Sequence, residues 1–136
     1  MTPSDYPRLI PFWKTNYFVN EMDTPERFKI FLQKNPDLSI VMENKGTIIG
    51  TALGSYDGRR GYIQKVVTAK EFRKQGIGKQ LVLEVIKRLR AVGVLYIPLA
   101  EDPSLVPFYT ECGFTKTNQV PMNVSWSTYT YKPEAK

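Results

Sequence analysis

A chain of 136 residues, 42% of them hydrophobic, suits a single domain over residues 1–136, because a second unit would lack a core of its own. Nineteen Lys and Arg against thirteen Asp and Glu give a formal charge of +6, which favours phosphates and acidic ligands without naming one. With no histidine and only one cysteine, Cys112, the chain cannot build imidazole bases, Ser-His-Asp triads, His-ligated zinc or an internal disulfide, and no metal is expected.

Pro, Arg, Lys and Asn interrupt the first twenty residues where a signal peptide would need an apolar stretch, and no run reaches membrane length, so a cytoplasmic protein with no membrane partner is expected. Ser4 or Asp5 caps a first helix running to about Trp13. Thr24, Pro25 and Glu26 open a second, whose stripe is Phe28, Phe31 and Leu32 and whose stop is Pro36. Leu38–Glu43 and Thr47–Gly54 are strand-like runs joined by Asn44-Lys45-Gly46. The turn Tyr56-Asp57-Gly58 then leads to a third strand, Tyr62–Thr68, completing an antiparallel meander.

The most regular helix spans about Gln75–Val92, with Ile77, Leu81, Val85, Leu89 and Val92 at three- or four-residue spacing and Gly93 at the C-cap. A buried strand, Val94–Ala100, is predicted next. Strand, helix, strand implies a right-handed crossover, so the fold is α+β with a mixed, mostly antiparallel sheet flanked by helices. A last helix capped by Ser104 ends at Gly113, and Phe114–Gln119 and Val124–Tyr131 are expected as closing strands.

The segment Arg73-Lys74-Gln75-Gly76-Ile77-Gly78-Lys79 carries the chemistry. It lies between a strand and the strongest helix, where unpaired N–H groups, the helix dipole and two glycines make an anion cradle flanked by cations. A Walker loop is rejected, since Arg73 and Gln80 stand where it needs Gly and Ser or Thr; a dinucleotide fingerprint fails at Leu81. A solvated basic turn is the plain alternative.

Arg73-x-x-Gly76-x-Gly78 after a strand, then a strand and Phe108-Tyr109-x-x-x-Gly113-Phe114, resembles the acetyl-CoA-binding signature of the GNAT superfamily of N-acetyltransferases over roughly residues 38–118. The Tyr56–Gly61 turn is similar to that of small single-domain bacterial members. The resemblance implies that Val66, Val67 and Thr68 face pantetheine, that Arg73, Lys74, Gln75, Gly76, Ile77, Gly78 and Lys79 hold the pyrophosphate, and that Tyr109 lies near the coenzyme sulfur. It also implies a strand before the first helix. Met1–Ser4 leaves no room for one, so the sheet is expected to start at Leu38. Asp102 stands where many members carry Asn.

Amide formation from a thioester needs a neutral amine, a polarised carbonyl and a proton for the thiolate. Tyr109, a phenol of pKa about 10, suits the last role; a core aromatic is its plain reading. A strand N–H at Val66 or Val67 suits the second. For the base, Asp57, Glu101 and Glu43 all stay open. Cys112, late on a helix with no histidine to activate it, reads as a packing residue, which favours direct transfer in a ternary complex. Arg59 and Arg60 read either as a solvated turn or as contacts to an acidic substrate or the coenzyme. The expectation is an enzyme that moves acetyl from acetyl-CoA to a primary amine on a small molecule or peptide, with a homodimer left open. The alternatives are a coenzyme-A-binding regulatory domain without catalysis and a basic nucleic-acid module, the latter disfavoured because no recognition helix or aromatic-interleaved motif stands out.

Overall fold

The computed structural model describes residues 1–127. Thr24 accepts the Arg27 N–H through its side chain and so starts helix α2, Pro25–Lys34, as expected of a Thr-Pro-Glu opening. Helix α1, Tyr6–Asn16, precedes it after a short 3₁₀ turn at Pro3–Asp5, and buries Leu9, Phe12 and Trp13. The strands follow as an antiparallel sheet in the order β1-β2-β3: Ile40–Asn44, Thr47–Tyr56 and Gly61–Thr68. Its first strand begins two residues after Leu38, and none precedes α1. Helix α3, Ile77–Ala91, lays Ile77, Leu81, Val82, Val85 and Leu89 on the sheet. Gly50 and Gly54 of β2 let it come so close: a Cβ on Gly50 would sit 2.8 Å from the Leu81 side chain, and one on Gly54 2.8 Å from Val85.

The pairing of β2 with β3 is broken once. Thr51 faces Val67 while Leu53 faces Gln64, so Ala52 stands opposite two residues, Lys65 and Val66, in a β-bulge. Lys65 takes a left-handed backbone with φ of 50°. Ile63 and Val66 are both buried although three residues apart, a spacing that strict alternation forbids and a bulge permits.

Two expected strands are not formed among the described residues, and a third is described only in part. Val94–Ala100 runs beside β3 but shares with it the single bond from Gly61 N–H to the Tyr96 carbonyl, at 3.0 Å. Pro98 has no N–H to donate, and Leu95 is 96% exposed, so no parallel ladder develops and the described sheet is wholly antiparallel. Phe114–Gln119 has no ladder partner among the described residues. In 120–126 the alternate residues Val120, Met122, Val124 and Trp126 are exposed, and the segment pairs with no strand among the described residues. The rest of the predicted Val124–Tyr131 strand lies outside the described residues. The last helix is shorter than expected: α4 is Val106–Glu111, entered through a 3₁₀ turn at Pro103–Leu105 that Asp102, not Ser104, caps.

Candidate active site

Helix α3 starts at Gly76, whose φ of 83° turns the chain from the loop into the helix. The first bond of the helix runs from Gln80 N–H to the Gly76 carbonyl, 3.0 Å, so the N–H groups before it have no helical acceptor. Open space surrounds the position of a Gly76 Cβ, whereas a Cβ on Gly78 would press to 3.2 Å on the Phe108 ring. Gly76 thus supplies a conformation, and Gly78 supplies close packing of α3 on α4. Lys74, Gln75 and Lys79 are exposed and Ile77 is buried. Lys74 shares the left-handed conformation, with φ of 62°.

Arg73 is placed differently from the expectation of a phosphate ligand. Its Nε donates to the Thr68 carbonyl at 3.1 Å and its Nη2 to the Asn16 carbonyl at 3.0 Å, so the guanidinium braces the loop between the end of β3 and the end of α1. Asn16 adds a second tie by accepting the Lys70 N–H through its side chain, 3.0 Å. Val66, Val67 and Thr68 are buried in β3, paired to β2 on one edge; on the other, no ladder is formed among the described residues.

A cleft of about 660 Å³ opens between the α1–α2 connection, β3 and residues 98–101. Its aromatic members are Tyr17, Phe18, Phe28, Phe31 and Tyr62; its polar members include Asp23, Arg27, Gln64, Lys65 and Glu101. None of residues 66–68 or 73–79 lines it. It meets them through the chain, since Lys65 in the cleft adjoins Val66. The Lys65 ammonium donates to the Phe18 carbonyl at 2.7 Å and to Asp23 Oδ2 at 3.1 Å, and lies 4.2 Å from the Phe18 ring centroid and 4.8 Å from that of Trp13. Burial lowers its pKa, opposed by the Asp23 charge. Sequence reasoning missed Lys65, Asp23 and Asn16. The signal for Lys65 was the broken alternation between Ile63 and Val66.

Tyr109, 4% exposed, packs edge-on against Phe108 and Phe114, and its hydroxyl donates to Glu101 Oε1 at 3.2 Å. The core-aromatic reading of Tyr109 therefore holds, with its hydroxyl bonded to Glu101. Asp57 closes the β2–β3 turn: Oδ1 accepts from Arg59 and Arg60 N–H, each at 2.7 Å, and Oδ2 from Tyr62. The bonds to Arg60 and Arg59 hold its carboxyl below the usual range. Asp102 is likewise lowered by Ser104, which it caps. Arg60 lies 5.5 Å from the Tyr96 ring centroid, and Glu43 pairs with Arg8 at 2.9 Å. Cys112 is buried, which pushes its thiol up and away from nucleophilic use.

A glycine-turned helix start thus follows a bulged strand, with a cleft beside the bulge. The sequence matches the acetyltransferase (GNAT) family over residues 6–114, and the chain belongs to that family of acetyl-CoA-dependent acetyltransferases. It is 33% identical over 106 residues to an acetyltransferase of Photorhabdus laumondii, covering 74% of both chains, and 30% identical over 105 residues to one of Pectobacterium atrosepticum, covering 75% of this chain and 74% of that one. Among solved structures it is similar to glucosamine-6-phosphate N-acetyltransferase of Arabidopsis thaliana, with a TM-score of 0.71 at 20% identity over 93% of this chain and 95% of that one. The aminoglycoside acetyltransferase AAC(6')-Iy, solved with a coenzyme A bisubstrate analogue, aligns with a TM-score of 0.74 at 18% identity over 92% and 94%. No helix of the described residues is long and apolar enough to cross a membrane, and they hold no cluster of metal-binding side chains.

Proposed function

We propose that this acetyltransferase moves the acetyl group from the sulfur of acetyl-CoA directly to a primary amine bound in the aromatic cleft. The observation that carries the reading is the path of β3: its bulge at Lys65 and Val66 borders the cleft, and its end at Thr68 is tied by Arg73 to the loop that opens α3. Acceptor and coenzyme are thereby assigned to one strand.

The chain's residues fit the coenzyme. The N–H groups at the start of α3 suit its pyrophosphate, with Lys74 and Lys79 adding positive charge around them. The edge of Val66–Thr68 that carries no ladder among the described residues offers backbone groups to the pantetheine amides. A Val66 or Val67 N–H polarises the thioester carbonyl, and Tyr109 supplies the thiolate with a proton. The apolar cleft suits an acceptor with an apolar or aromatic body, whether a small molecule or a peptide.

Calorimetry with coenzyme A and a screen of amines, polyamines and peptides with acetyl-CoA, read by thiol release and product mass, test the reading. Binding with acetylated product is expected. Absence of coenzyme binding beside a working control would overturn it, and tight binding without any product would return the chain to a coenzyme-binding regulatory role.

A further inference from the structure

Residues 17–23, which join α1 to α2, form one wall of the cleft through Tyr17, Phe18, Met22 and Asp23. Lys65 ties that wall to β3. Its ammonium donates to the Phe18 carbonyl at 2.7 Å and to Asp23 Oδ2 at 3.1 Å, with the ring centroids of Phe18, Trp13 and Tyr17 at 4.2, 4.8 and 5.6 Å. Asp23 is a meeting point within the wall: Oδ2 also accepts from Asn20 N–H at 3.0 Å, and its carbonyl accepts from the Tyr6 hydroxyl at 2.6 Å. The Lys65 and Asp23 side chains are only 9% and 11% exposed, so solvent screens their pairing little. The other end of Lys65 is fixed independently. Its backbone stands in the bulge with φ of 50°, and its carbonyl accepts from the Thr51 hydroxyl at 3.0 Å.

We infer that Lys65 is a positioning residue that sets the acceptor wall against the coenzyme strand, its backbone holding the bulge beside Val66 and its ammonium holding residues 17–23. This rests on the acetyltransferase reading above, which puts the acceptor in the cleft and the thioester carbonyl at the Val66 or Val67 N–H. One residue then spans the two partners that must come within bonding range, and loss of its ammonium moves the wall relative to the thioester. Both bonds and the ring contacts draw on a cation at the end of the side chain. Without it the Asp23 carboxylate is left uncompensated where little water reaches, and turning out to solvent carries the wall with it. Tyr17, Phe18 and Met22 offer the wall's apolar surface, so what the wall positions is the body of an acceptor rather than its nitrogen. Lys65 thereby sets specificity: an amine with an aromatic body depends on it, and a very small amine does not.

The test compares two primary amines, 2-phenylethylamine and methylamine, with acetyl-CoA and the full chain. Both are ammonium ions at neutral pH, so deprotonation weighs on them alike, and only the first carries a ring for the wall to hold. The ratio of their kcat/KM values does not depend on how much of a variant is folded, so a loss of stability alone leaves it unchanged. In Lys65→Met the ratio of phenylethylamine to methylamine should fall about 10²-fold, through a raised KM and a lowered kcat for phenylethylamine. Coenzyme A should bind this variant as it binds wild type in calorimetry. Lys65→Arg keeps a cation able to donate to both the Phe18 carbonyl and Asp23, and should restore most of the ratio. If Lys65→Met does not fold, Asp23→Asn removes the charge from the wall side, and the ratio should fall there too. An unchanged ratio in the variant that folds, a loss as complete in Lys65→Arg, or weakened coenzyme binding in Lys65→Met would overturn the positioning role while the acetyltransferase reading stands. A wild type that acetylates other amines of the screen but does not prefer phenylethylamine to methylamine likewise overturns the positioning role alone. A wild type that binds no coenzyme A, or acetylates no amine at all, overturns the reading and the positioning role together.

Discussion

The indole of Trp13 holds Lys65 at both ends: its ring centroid lies 4.8 Å from the Lys65 ammonium, and its Nε1–H donates at 3.0 Å to the Thr51 hydroxyl, which donates at 3.0 Å to the Lys65 carbonyl. The bulge is thus fixed from α1, outside the sheet. Trp13→Phe keeps a ring over the cation but removes the N–H donor from the buried Thr51 hydroxyl. A loss of about 1–3 kcal/mol in urea unfolding is expected. A variant as stable as wild type would show that the bulge does not depend on this bond.

Gly76 has a left-handed φ and open space where a Cβ would go. Gly76→Ala therefore meets conformational strain rather than a clash, at a cost of about 1–2 kcal/mol. Coenzyme A affinity measured by calorimetry should weaken as the helix start shifts, and a branched residue such as Val should weaken it further. Unchanged affinity in both variants would place the phosphate contacts elsewhere.

Arg73 spends its guanidinium on the Thr68 and Asn16 carbonyls, so Arg73→Ala should lower thermal stability as well as coenzyme affinity. Two charge-assisted bonds are lost, and about 1–3 kcal/mol is expected in unfolding. Arg73→Lys should not restore it, because a single ammonium cannot reach both carbonyls as the planar fork does. A variant with weakened coenzyme binding and untouched stability would make Arg73 a direct phosphate ligand.

Tyr109→Phe removes the hydroxyl and leaves the packing against Phe108 and Phe114 in place. Turnover should fall by about 10²–10⁴-fold with coenzyme affinity unchanged. Single-turnover kinetics check it, and a wild-type rate would relieve Tyr109 of the acid role.

Asp57 titrates below its ordinary value of 3.8 because the Arg60 and Arg59 amides and Tyr62 bond to its charged form. Its contribution to stability is therefore complete above that value and is lost as the pH falls through the lowered folded value. Asp57→Asn retains an acceptor but cannot titrate. Melting temperatures of the two proteins, followed from about pH 5 to pH 2, should converge as wild type loses its advantage. Parallel curves would remove Asp57 from the acid transition.

Local chemistry alone determined the helices, the meander and the glycine-bearing helix start. Thr24 before Pro25, the α3 stripe from Ile77 to Leu89 and the Gly46 turn act within a few residues, so the chain carries them wherever it folds. The same locality explains why Gly76 falls at the start of α3 and Tyr109 in α4, as expected: each belongs to a short spaced motif. What lies between distant segments was decided only in three dimensions. Val94–Ala100 has the composition of a strand, but whether it joins the sheet depends on a neighbour's hydrogen bonds, and among the described residues it shares one with β3. Trp13 and Thr51 are 38 residues apart, as Tyr109 and Glu101 are 8, and no periodicity links either pair. The Lys65 bulge that brings cleft and strand together is held by α1, and a contact across that sequence distance exists only once both faces of the sheet have been covered.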